Sequence, residues 1–144
     1  MGKRIVLISC VSQKQDKPCK AKDLYVSALF KKSWAYANRL NPDQIYILSA
    51  KHHLLDPEKV IAPYNLTLND FSAVQRRLWA QEVLKEMEAV GLDLRHDQFV
   101  FLAGKSYYQY LVGKSGIQQY TLPLQGKGGI GCILKFLTEQ THCR

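Results

Sequence analysis

Apolar residues fall along this chain in two alternating rhythms. Arg4-Ile-Val-Leu-Ile-Ser9 is a continuous run of branched side chains, the pattern of a strand covered on both faces. Gln44-Ile-Tyr-Ile-Leu-Ser49 and Gln98-Phe-Val-Phe-Leu-Ala103 repeat it, and residues 117–122 form a weaker fourth example. Between them the spacing becomes helical. Leu24, Ala28, Leu29, Trp34, Ala37 and Leu40 predict a helix with Asp23 as its cap, ended by Asn41-Pro42. Ser72 and Gln75 form a capping-box pair before Val74, Leu78, Met87 and Val90, which predicts a long helix ending near Gly91. Lys105–Val112 reads as a short helix closed by Gly113, and Ile130, Ile133, Leu134 and Leu137 mark the last. Residues 50–70, with prolines at 57 and 63, are long for a structureless connection, and loops of that length are usually functional.

Strands alternating with helices predict a three-layer α/β/α domain, residues 1–144, around a four-stranded parallel sheet with right-handed crossovers. Its 144 residues suffice for a core without staples. No run reaches membrane-spanning length, and the expectation is a cytoplasmic protein with no membrane partner. Cys10, Cys19, Cys132 and Cys143 are scattered without a CxxC pair, so neither a zinc site nor a disulfide framework is indicated, and no cofactor is called for.

The net charge of +8 is uneven. Residues 1–40 hold nine Lys/Arg against two Asp/Glu, and residues 98–144 hold five against one, a balance suited to an anionic partner or to a solvated surface.

In a parallel sheet the carboxyl ends of the strands share one rim, where ligands bind at the point of reversed strand order. Each exit here carries a lysine: Lys14 after Ser9-Cys10-Val11-Ser12, Lys51 after Ser49, Lys105 after Gly104, and Lys127 after Gln125-Gly126. Gly104-Lys105-Ser106 is no P-loop, because Phe99 stands where that motif needs its first glycine. Four converging ammonium groups repel by roughly a kcal/mol or more per pair unless an anion lies between them. Gly126 and Gly129 flank a helix start whose amides favour negative charge.

Other rim residues supply candidate chemistry. Cys10 is a thiol near lysines, His53 and Asp70 are candidates for proton transfer, and Tyr64, Tyr107, Tyr108 and Tyr110 for stacking on a base. Each also has an ordinary structural explanation as buried thiol, surface imidazole, helix cap or half-buried aromatic.

Ile8-Ser9-Cys10 with Lys14, Leu24-Tyr25-Val26-Ser27 with Phe30, Leu48-Ser49-Ala50-Lys51, Pro63-Tyr64, Leu102-Ala103-Gly104-Lys105 and Pro123-Leu124-Gln125-Gly126 resemble a small domain-of-unknown-function family of bacteria, archaea and phages. More distantly, the Ser9-Cys10 opening with Lys14 and the segment Leu24-Tyr25-Val26-Ser27 resemble a domain beside archaeal tRNA-guanine transglycosylases and, in architecture, the uracil-DNA glycosylase-like fold. That resemblance implies strand order 2-1-3-4 and a base pocket at the carboxyl rim. Uracil glycosylases place Asp or Asn beside Pro after the first strand and a His-Pro-Ser segment after the last. Ser9-Cys10-Val11-Ser12 and Leu122-Pro123-Leu124 depart from both, so uracil excision of the standard kind is not implied.

The resulting expectation is an N-glycosylase-like hydrolase directed at a nucleic acid or nucleotide, modified bases included. Lys14, Lys51, Lys105 and Lys127 hold phosphate in this reading, while Tyr64 or Tyr107 stacks on the base. Ser9, Ser12, Ser49 and Gln125 read its edge, and Asp70 or His53 moves a proton. The alternative is a non-catalytic DNA-, RNA- or nucleotide-binding module.

Overall fold

The computed structural model describes residues 2–9, 16–25, 27–64, 66–113, 116–126 and 130–142, except for the side chains at 130, 141 and 142. In chain order the elements are β1 (Arg4–Ser9), β2 (Cys19–Lys20), α1 (Ala21–Leu24), α2 (Ala28–Arg39), β3 (Gln44–Ser49), β4 (His53–Leu55) and β5 (Val60–Ile61). A 3-10 turn (Leu68–Asp70) follows, then α3 (Ala73–Ala89), β6 (Gln98–Leu102), α4 (Lys105–Tyr108), β7 (Tyr120–Thr121) and α5 (Ile130–His142).

The fold is α/β around a mixed five-stranded sheet, in the order β4-β3-β1-β6-β7. This corrects the expected four-stranded, all-parallel sheet. β3, β6 and β7 join the ladder in parallel, whereas β4 turns back antiparallel to β3, with Ser49 opposite His53. The three-residue connection needs a left-handed residue to re-enter the ladder. His53 takes that role at φ +61°.

β1 is the centre. Ile5, Val6, Leu7 and Ile8 are all buried, so both faces of the strand are covered. The chain runs from β1 to β3 through α2, then crosses back over β1 to β6 through α3. Right-handed crossovers therefore put α2 and α3 on opposite faces. α5 lies beside α2, with Phe136 edge-on to Tyr36 at 5.8 Å, and α4 lies beside α3.

Several boundaries differ from the sequence reading for local reasons. Asp23 sits inside α1, and Ser27 caps α2 by accepting the Phe30 N–H. The capping box of Ser72 and Gln75 is present, but α3 buries Trp79, Ala80, Val83 and Met87 while Val74, Leu78 and Val90 face solvent. The helix is apolar on two sides, so its periodicity alone selects no face. α4 stops at Tyr108 because Val112 pairs with Ile117 in an isolated bridge, which also shortens β7 to two residues. The segment 50–70 is structured: β5 pairs with β2, and β4 extends the main sheet.

Two carboxylates fix the amino end of β1. Asp43, just before β3, accepts the Arg4 N–H at 2.7 Å; Asp97, just before β6 and buried, accepts the N–H groups of Lys3 and Asp93, each at 2.8 Å. Asp97→Ala strands two backbone donors and should destabilise the chain by about 2–3 kcal/mol in urea unfolding. A loss below about 0.5 kcal/mol would show that water replaces the carboxylate.

Candidate functional site

Where β1 and β6 part, at the topological switch of the parallel strands, a cavity of about 280 Å³ opens on the carboxyl rim. Its floor is the ends of the strands, Ser9 from β1 and Phe101 and Leu102 from β6. One wall is α2, through Leu29, Phe30 and Ser33; Ile133 of α5 stands beside it. The opposite wall holds Tyr108 of α4 and the segment after β7, Leu122, Leu124 and Gln125. A turn in which Gln125 N–H donates to the Leu122 carbonyl at 3.1 Å shapes that segment, and Gly126 leaves it at φ +79°, a conformation suited to glycine. The interior is therefore mainly aliphatic and aromatic, with Ser9, Ser33, Lys105, Tyr108 and Gln125 as its polar groups.

A second polar cluster forms at the end of β3. The Tyr64 hydroxyl bonds the Tyr25 hydroxyl at 2.6 Å and the Ser49 hydroxyl at 2.7 Å. Ser49 Oγ also accepts the His52 N–H at 3.0 Å, and the Ser49 carbonyl accepts Trp79 Nε1–H at 2.9 Å. Lys51 Nζ lies 5.8 Å from the Tyr64 ring centroid, and the His52 ring meets Tyr64 edge-on at 5.3 Å. Tyr25 packs on Phe30 at 5.1 Å between centroids, so the cluster and the cavity share a wall.

The residues singled out from sequence thus divide into groups. Ser9, Gly104, Lys105 and Gln125 border the cavity, with Gly126 next to it. Ser49, Lys51 and Tyr64 belong to the hydroxyl cluster. Tyr107 is only 7% exposed and its ring meets Trp79 edge-on on the α3 side, so it stacks within the core. His53 lies away from both groups, its Nδ1 3.8 Å from Glu86 of α3. Asp70 is exposed in the 3-10 turn, where its N–H donates to the Thr67 carbonyl at 3.1 Å and its carboxylate has no hydrogen-bond partner among the described residues. Ser106 turns from the rim to bond Asn69 at 3.2 Å. Cys10, Ser12, Lys14, Lys127 and Gly129 lie outside the described residues.

Ser33 carries no expectation from the sequence, and Tyr25 and His52 carry no role in it. Ser33 had a signal: it falls between Phe30 and Ala37 on the buried stripe of α2, a hydroxyl where an apolar residue is expected. Among the described residues no group of three or more His, Cys, Asp or Glu could hold a metal, and no helix is long and apolar enough to cross a membrane.

The chain belongs to a family of unknown function (DUF6884), whose profile matches residues 5–139. No curated protein and no solved structure matches it.

His52 supplies a pH test of the cluster. Its Nε2 is buried without a hydrogen-bond partner among the described residues, and burial first, then Lys51, Lys59 and His53, hold its pKa below the ordinary imidazole value. The folded chain takes up that proton less readily than the unfolded one. The contribution to stability is therefore complete above the unfolded value of about 6.5 and is lost as pH falls through the folded one. The melting temperature of the wild type should drop more steeply on acidification from neutral pH than that of His52→Gln. Parallel curves would contradict this assignment.

Proposed function

We propose that this chain binds the base of a nucleotide or nucleic-acid strand in the β1–β6 cavity and acts at its N-glycosidic bond. The cavity itself carries the reading. Apolar and aromatic walls with a few polar groups suit a flat heterocycle better than a bare anion, and the volume is at the small end for ligand pockets. Phe30, Tyr108 and Leu124 offer surfaces for the base, while Ser9 and Gln125 offer hydrogen bonds to its edge. Lys105, exposed at the margin, is placed for a phosphate outside the cavity. The parallel strands β3-β1-β6-β7 resemble the order 2-1-3-4 of the uracil-DNA glycosylase-like fold, with β4 added at one edge.

In such a reaction the bond between C1′ and the base nitrogen breaks heterolytically. The electron pair stays with the base, and the sugar becomes oxocarbenium-like. Water adds at C1′, and its proton balances the departing base. Hydrogen bonds from Gln125 to the base stabilise the charge it gains, and phosphates flanking the sugar stabilise the charge left behind.

One observation favours a second reading, recognition without chemistry. No carboxylate and no imidazole is among the described residues lining the cavity. Turnover separates the two. The chain is incubated with single- and double-stranded oligonucleotides bearing modified bases, and abasic sites are revealed by alkaline cleavage. The proposal expects abasic sites, with KM raised about three- to tenfold in Lys105→Ala. Salt-dependent binding that leaves the ligand intact would identify a binding module. Neither binding nor cleavage across the panel would overturn both readings.

A further inference from the structure

Ser33 is 2% exposed, sits in the middle of α2, and lines the cavity between Phe30 and Ile133. Its hydroxyl makes no hydrogen bond to a described residue, yet it is not one of the wholly enclosed unpaired polar atoms, so it opens on the cavity. A buried helical serine or threonine usually returns its hydroxyl to the carbonyl four residues earlier. Thr138 of α5 does this, donating to the Leu134 carbonyl at 2.8 Å. Ser33 does not, although Leu29 is available on its own helix.

A hydroxyl that opens on the cavity and bonds nothing in the fold contributes nothing to the helix, and alanine would be the better helix former. The remaining stripe of α2, Phe30 and Ala37, shows that this face otherwise packs as core. A serine at this point makes physical sense when the cavity is filled by a ligand with a polar atom at that depth.

Resting on the base-binding reading above, we infer that Ser33 is a specificity-determining residue, whose hydroxyl pairs with a ring nitrogen or exocyclic oxygen or amine of the bound base. The ligand class is thereby narrowed to heterocycles that present a hydrogen-bonding edge inward, with sugar and phosphate towards Lys105. A purely apolar ring would leave Ser33 unpaired, and an inorganic anion would leave the apolar walls uncovered.

The experiment measures binding of AMP, GMP, CMP and UMP to the full chain by calorimetry, together with the unliganded melting temperature, for wild type, Ser33→Ala and Ser33→Cys. The expected result is that at least one monophosphate binds the wild type, and that both variants weaken that binding by about two- to tenfold. Ser33→Cys keeps nearly the same volume with a poor hydrogen-bonding group, so its loss separates the hydroxyl from the space it fills. The unliganded melting temperature of Ser33→Ala should equal or exceed that of the wild type, because removing an unpaired hydroxyl costs the fold nothing. Unchanged affinity in both variants, or a lowered melting temperature in Ser33→Ala, would overturn the role of Ser33 and leave base binding standing. If no monophosphate binds the wild type, the same variants are compared on the modified-base oligonucleotides above, and if those do not bind either, the base-binding reading fails and this inference falls with it.

Discussion

The architecture depends on β1 being bonded in parallel on both sides. Val6 faces Ile45 of β3 and Val100 of β6, and the four residues Ile5 to Ile8 are enclosed by helices above and below. Burying each such side chain contributes about 1.5–3 kcal/mol. The strand cannot slip by one residue without moving the reciprocal pairing of Arg4 with Asp43 and the anchoring of Lys3 on Asp97. With its amino end held on two sides, the carboxyl end is where chain segments depart in opposite directions. The cavity is the space left by that divergence.

This origin explains the cavity's chemistry. Strand ends that have just left an apolar core supply Phe101 and Leu102, and α2 and α5 add Leu29, Phe30 and Ile133. Polar groups enter at strand ends and turns, through Ser9, Lys105 and Gln125, and as the hydroxyls of Ser33 on α2 and Tyr108 on α4. Among the described residues the site is thus an apolar slot with a basic margin, and not a cage of lysines. Lys51 belongs to the neighbouring cluster, over Tyr64. Tyr25 contacts Phe30 and also bonds Tyr64, so packed rings and short hydrogen bonds connect the cavity wall to Ser49.

The parts legible in the sequence are those governed by local rules. β1 and β3 have the ends their apolar runs suggest, and the Ser72 box starts α3, because a continuous branched run and a cap act within a few residues. What escaped is set by distant partners. β4 exists because three residues suffice to reverse the chain, provided His53 accepts a left-handed backbone. Leu122 and Leu124 looked like the end of a strand and its exit; the Val112–Ile117 bridge shortens that strand and leaves both lining the cavity. His53 carries the proton-transfer expectation, but the turn sends it to Glu86 and leaves its neighbour His52 beside Tyr64. Ser33 is not legible from periodicity, because the buried stripe of a helix is marked by its apolar members, and a hydroxyl among them carries no periodic signal.

The central claim, that the divergence at β1 and β6 forms a pocket for a heterocyclic base, is tested most directly by a crystal structure of the chain grown with a nucleoside 5′-monophosphate. The expected result is ring density between Phe30 and Leu124, an edge within hydrogen-bonding distance of Ser33, and phosphate near Lys105. Density for the base over Tyr64 and Lys51, or elsewhere on the surface with this cavity empty, would contradict it.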